Sequence, residues 1–149
     1  GYAELAALLQ MDMRIVIVGG ADDAALAHAI VSAAPSAIDA TGQLSLLASA
    51  ELIGRAAVLV TNDSAPLHLA SAMGTPTVAI FGPTVPAFGF GPLAPRSIVV
   101  GHETLSCRPC DRHGPQRCPL GHFRCMRELD AATMAEQVRS LLPFTDAHA

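Results

Sequence analysis

Apolar positions along the first hundred residues follow two alternating patterns. Short unbroken runs, Arg14-Ile15-Val16-Ile17-Val18-Gly19, Ala57-Val58-Leu59-Val60-Thr61 and Pro76-Thr77-Val78-Ala79-Ile80-Phe81, read as strands buried on both faces. Ala37-Ile38-Asp39 and Ser97-Ile98-Val99-Val100 read as two more. Between them the spacing turns helical. Asp22 and Asp23 begin a helix with Leu26, Ala27, Ile30, Val31 and Ala34 on one face, stopped before Pro35. Ser45 stands as N-cap of a second, with Leu46, Leu47, Ala50 and Ile53 on one face and Gly54 at its close. Asn62-Asp63-Ser64-Ala65-Pro66 opens a third, which buries Leu67, Ala70 and Met73 or their neighbours and ends at Gly74. Segments 2–10 and 130–142 read as terminal helices. Strand and helix in alternation predict βαβ units, hence an α/β fold with a parallel sheet covered on both faces. Such a domain normally begins on a strand, so a strand is expected to be missing before the first helix.

Composition narrows the function classes. The chain has 149 residues, one domain's worth, with 51% hydrophobic residues, 15% charged and a mean hydropathy of +0.41, which excludes a disordered chain. The net charge is −4 and all nine basic residues are arginine. An acidic balance without basic runs argues against nucleic acid as a partner. With no lysine, none can act as Schiff base or phosphate clamp. No apolar run reaches the roughly eighteen residues of a membrane span, and Gly1-Tyr2-Ala3-Glu4 does not resemble a signal peptide. A soluble, intracellular protein is expected, and the lack of an initiator Met suggests a start partway into a longer one.

Three stretches could carry chemistry. In parallel sheets, ligands collect at the carboxyl ends of strands, where helix N-termini present free N–H groups. Asp63, Ser64 and Ala65 stand at such a junction; small residues at 64 and 65 let an anion approach the backbone, and His68 is one turn into the helix. The competing reading is that Asp63 and Ser64 merely cap the helix. Gly19-Gly20-Ala21-Asp22-Asp23 is also at a strand end, but lacks the third glycine of a dinucleotide fingerprint. A carboxylate there can accept from ribose hydroxyls or simply decorate a helix start. Finally, Cys107, Cys110, Cys118 and Cys125 share one stretch, with His113 and His122 as alternative ligands. A C-x2-C pair can hold zinc, but the second pair is six residues apart rather than two; structural zinc and free buried thiols both remain open.

The run from Thr41-Gly42-Gln43-Leu44-Ser45-Leu46 through Asn62-Asp63-Ser64-Ala65-Pro66-Leu67-His68-Leu69-Ala70 to Gly74-Thr75-Pro76 and Phe81-Gly82-Pro83-Thr84 resembles glycosyltransferase family 9, the heptosyltransferases. So does the tail, Cys107-x-x-Cys110 with Cys118-Pro119-Leu120-Gly121-His122 and Cys125-Met126. The resemblance covers residues 13–142. One departure is Ala65, where the family usually has glycine; its methyl narrows the approach to the backbone. The resemblance implies one Rossmann-like half, the C-terminal donor-binding half, of a two-domain GT-B fold. On that reading 1–149 is a single domain, 107–126 a Cys-rich insertion and 130–142 the C-terminal helix, and the N-terminal acceptor domain is absent. It implies that Asp63 and the N–H groups of Ser64 and Ala65 face the donor diphosphate with His68 beside it. Asp22 would match a ribose-binding carboxylate, and Gln43 and Leu44 would edge the adenine. No catalytic residue is expected in this half, so the isolated chain is expected to be inactive.

The implied function is transfer of a heptose or related sugar from an ADP-activated donor to a lipopolysaccharide core acceptor, inverting and metal-independent. The lipid A–core acceptor would be bound through the other half, with no cofactor beyond a structural zinc. The expected location is the cytoplasm or the inner face of its membrane, with peripheral membrane association of the full protein. Two rivals stand beside it: a domain like the sugar-nucleotide 2-epimerases, which His68 and the cysteine tail fit poorly, and a non-catalytic nucleotide-binding or zinc-stabilised interaction module.

Overall fold

The computed structural model describes residues 1–142; the end of the expected 1–149 domain, residues 143–149, lies outside that range. The elements run α1 (Tyr2–Leu9), β1 (Val16–Ile17), α2 (Ala24–Ala33), β2 (Ile38–Asp39), α3 (Leu46–Gly54), β3 (Leu59–Asn62), α4 (Ala65–Met73), β4 (Thr77–Phe81), β5 (Ser97–Gly101), α5 (Arg124–Arg127) and α6 (Ala131–Leu141). The fold is α/β with parallel strands flanked by helices. Where the hydrophobic run suggested six residues of first strand, only Val16 and Ile17 pair, because their partner β2 is itself two residues long. The single sheet expected from the alternation is two parallel ladders among the described residues, β1-β2 and β3-β4-β5.

β4 is the centre. All five of its residues are buried, and they alternate between two cores as the pleat requires. Val78 and Ile80 face α1 and α6, joining Leu5, Leu9, Met134, Ala135, Val138 and Leu141. Ala79 and Phe81 face the other way, against Leu67 of α4. A further small core, Ile53, Leu59 and Ala70, lies beneath α3 and α4. Gly74, in the left-handed region at φ +70°, ends α4.

Two expected apolar faces are narrower than the pattern suggested. On α2 only Ala27 is fully buried and Leu26 is exposed. On α3, Leu46 and Leu47 are 65% and 81% exposed while Ile53 is buried. α3 packs through its C-terminal half, against α4. Met73 of α4 is likewise 43% exposed.

Candidate functional site

Every loop that leaves a strand's carboxyl end carries polar side chains, and these loops form two groups. In the first, the segment after β1 meets the segment after β2. The Gly42 N–H donates to the Gly19 carbonyl at 2.9 Å, and Gly42, at φ +69°, lies so near Ala21 that a Cβ would come within 3.1 Å of its Cα. Asp23 accepts from the Gly20 N–H at 2.9 Å and serves the turn, leaving Asp22 exposed. Thr41 donates its N–H and its hydroxyl to Asp39, and these bonds, the hydroxyl's foremost, lower the Asp39 carboxyl below its ordinary range. The Gln43 amide folds onto the Asp39 carbonyl at 2.9 Å, and Leu44 is 37% exposed beside it. Asp22, Gln43 and Leu44 thus share one exposed shelf.

The second group surrounds the N-terminus of α4. Asp63 donates its backbone N–H to Ile80, extending the β3–β4 ladder by one bond. Its Oδ2 accepts from the Thr84 hydroxyl at 2.8 Å, so this carboxylate oxygen turns toward the loop after β4. The Ser64 hydroxyl lies 3.3 Å from the Asn62 carbonyl and 3.2 Å from the Thr61 hydroxyl and caps nothing in the helix. The capping expectation fails for both residues. Among the described residues no acceptor meets the N–H of Ser64 or Ala65. His68 is exposed one turn along, edge-on to Phe90 with ring centroids 6.4 Å apart, and Phe90 in turn neighbours His113 at 6.0 Å. Tyr2 donates its hydroxyl to Asn62 at 2.9 Å. Removal of that hydroxyl from water pushes the phenol up, although 36% of the residue stays exposed. The structure therefore gathers Asp63, Ser64, Ala65 and His68, as the sequence suggested. It adds Thr84, Phe90 and Tyr2, and no hydrogen bond joins this group to the first among the described residues.

The cysteine segment docks beside this second group. The Cys110 N–H donates to the Pro83 carbonyl at 2.9 Å. Burial first, and then the neighbouring thiols of Cys107, Cys125 and Cys118, push the Cys110 thiol up; burial does the same for Cys125. Cys118 is pulled down by backbone N–H groups of residues 120–123, that of Phe123 foremost. Cys107 Sγ stands 4.0 Å from His122 Nε2. The four thiols therefore share a neighbourhood. Even so, among the described residues no three His, Cys, Asp or Glu side chains are arranged to hold a metal ion. Zinc at Cys107, Cys110, Cys118 and Cys125 stays an expectation: here the Cys110 thiol donates to the Cys107 carbonyl at 3.2 Å and Cys125 is buried.

Two clefts, of about 360 and 320 Å³, flank β5, and neither is lined by any of the strand-end candidates. The second includes Arg108, whose guanidinium donors are already taken by backbone carbonyls. A cation so satisfied is a poor ligand for an incoming anion.

Comparison with known proteins bears on the family of the chain. The chain is 33% identical to lipopolysaccharide heptosyltransferase 2 of Escherichia coli over 147 residues, 91% of this chain and 42% of that protein. It is 38% identical to lipooligosaccharide heptosyltransferase 2 of Campylobacter jejuni over 85 residues, 57% of this chain and 25% of that one. Among solved structures, the E. coli ADP-heptose lps heptosyltransferase II superposes with a TM-score of 0.76 at 25% identity, over 94% of this chain and 40% of that chain. A family 9 glycosyl transferase from Veillonella parvula gives 0.75 at 25% identity, with the same coverage. The chain thus spans about a quarter to two fifths of the relatives it matches. The model of glycosyltransferase family 9 (heptosyltransferase) matches residues 1–119, and the chain belongs to that family.

Proposed function

We propose that this chain is the C-terminal, donor-binding half of a GT-B heptosyltransferase of lipopolysaccharide core synthesis, and that it binds an ADP-activated heptose. The observation that carries the reading is the uncapped N-terminus of α4. Ser64 and Asp63 both turn away from it, leaving the N–H groups of Ser64 and Ala65 open with His68 alongside.

In the transfer, an acceptor hydroxyl attacks the anomeric carbon from the face opposite the diphosphate. The bond to the diphosphate oxygen breaks, configuration inverts and ADP departs. Negative charge grows on the leaving diphosphate. The positive end of the helix dipole and two fixed N–H donors stabilise that charge without a metal. The engagement of Asp63 with Thr84 explains how a carboxylate is accommodated next to an anion site. On the other shelf, Asp22 would accept from the ribose, with Gln43 and Leu44 at the adenine edge. The base that deprotonates the acceptor, and the lipid A–core acceptor itself, belong to the other half of the enzyme. Among the described residues no helix is long and apolar enough to cross a membrane. The working location is the cytoplasm, with peripheral attachment at the inner face of the membrane.

Calorimetric titration with ADP tests the site. Loss of a charge-assisted hydrogen bond costs about 1.5–3 kcal/mol, so His68→Ala should weaken ADP roughly tenfold to a hundredfold. Ser64→Ala should cost only its bonds to the Asn62 carbonyl and the Thr61 hydroxyl, about 0.5–1.5 kcal/mol of stability. Ala65→Gly should tighten binding or leave it unchanged. Wild-type protein that fails to bind ADP, or affinity untouched by His68→Ala, would refute the assignment.

A further inference from the structure

We propose that Thr84 and Arg108 are positioning residues for this anion site, acting through Asp63; the inference rests on the donor-site reading above. Arg108 lies in the cysteine segment, and its half-buried guanidinium is clasped by the ends of two strands. Its Nη2 donates to the Phe81 carbonyl at 2.7 Å and to the Thr84 carbonyl at 3.1 Å, its Nη1 to the His102 carbonyl at 2.6 Å, and its Nε to the Gly82 carbonyl. One planar fork therefore fixes the whole turn from Phe81 to Thr84, which a lysine's point charge would not do. The rest of the segment lies flat on the same turn. Gly114, in the left-handed region at φ +74°, sits where a Cβ would come 3.2 Å from Pro83 Cγ and 3.5 Å from Thr84 Cγ2. The cysteine segment thus acts as a bracket that presses the loop after β4 into place.

What the bracket holds is a hydroxyl. Thr84 is only 4% exposed, so its Oγ1, 2.8 Å from Asp63 Oδ2, has little water to compete for it. Without that donor, Asp63 would regain the habit of its residue type, which is to accept from backbone N–H groups two or three positions ahead. Pro66, three ahead, has no N–H, so that group is the Ala65 N–H, one of the two donors proposed to receive the diphosphate. Thr84 therefore holds a carboxylate back from the donors that an anion needs, and Arg108 holds Thr84.

A double-mutant cycle on ADP affinity tests this, because a merely structural role would not depend on Asp63. Thr84→Val keeps the side chain's shape and removes the hydroxyl. It should weaken ADP about tenfold, as expected when a self-bonding carboxylate competes for the site's donors. Thr84→Ser should restore wild-type affinity. In an Asp63→Ala background, Thr84→Val should have no further effect, and Arg108→Lys should follow the same rule. If Thr84→Val melts too low to titrate, Thr84→Ala takes its place in the cycle. Losses of equal size with and without Asp63 would overturn the positioning role while leaving the donor site intact. Wild-type protein that fails to bind ADP would instead refute the donor site, and this inference with it.

Discussion

Replacing Gly42 by alanine tests whether the loops after β1 and β2 form a single surface. Two separate costs follow from the geometry. At φ +69° an alanine is in the left-handed region, which costs a non-glycine residue about 1–2 kcal/mol. The new Cβ would also stand 3.1 Å from Ala21 Cα and 3.2 Å from Ala21 Cβ. Backbone cannot rotate aside, so the loops must part, and the Gly42-to-Gly19 hydrogen bond is then stretched or lost, worth about 1 kcal/mol more. A total of about 2–3 kcal/mol corresponds to a fall in melting temperature of roughly 4–12 °C for a chain of this length. Gly74→Ala is the matched control. Its φ is +70° but nothing lies within 4 Å of the added methyl, so only the first cost applies. Melting curves by circular dichroism should therefore place Gly42→Ala clearly below Gly74→Ala. Titration with ADP should show weaker binding in the first variant alone, because Asp22, Gln43 and Leu44 ride on the parted loops. Equal melting temperatures and equal ADP affinities in the two variants would refute the claim that these loops act as one shelf.

Two further predictions concern the segment from Cys107 to Glu128. Glu128 is held below the ordinary carboxylate range chiefly by its hydrogen bond from Arg124 and then by His102 at 2.9 Å. Because the folded value is the lower one, its stabilising contribution is present above the unfolded value of about 4.3 and disappears as pH falls through the folded value. Glu128→Gln should accordingly flatten the acid side of the melting-temperature profile; an unchanged profile would count against the pair. Cys118, pulled down by backbone N–H groups, should react with iodoacetamide ahead of Cys110 and Cys125, whose thiols burial pushes up. Mass spectrometry of partly alkylated protein reads the order, and Cys118 labelled after Cys110 and Cys125 would refute it.

The central strand and the longer helices were legible because each is specified locally, whereas β1 is shorter and more exposed than its apolar run suggests and α5 carries no such pattern. Val78 and Ile80, with Ala79 and Phe81, form an unbroken apolar run that only a central strand can bury on both sides. Gly74, Pro66 and Ser45 mark helix ends through their own backbone and side-chain chemistry. Leu46 and Leu47 are exposed despite lying on the apolar face of α3, because a helical face shows which residues share a side and not which of them a neighbour covers. The proposed site is legible by residue type and ambiguous in direction. Asp-Ser before a helix fits a cap and an anion site equally well, and what separates them is where each side chain turns. That is decided by partners remote in sequence: Thr84 is twenty-one positions from Asp63, and the Arg108 carbonyl clasp reaches back as far as Phe81. No local pattern announces such bonds. An arginine between two cysteines reads as part of a metal motif, yet here it fastens the loop that keeps a carboxylate off the helix N-terminus. The cysteine segment and the strand-end turn are thus parts of one device, and the open N–H groups of α4 depend on both.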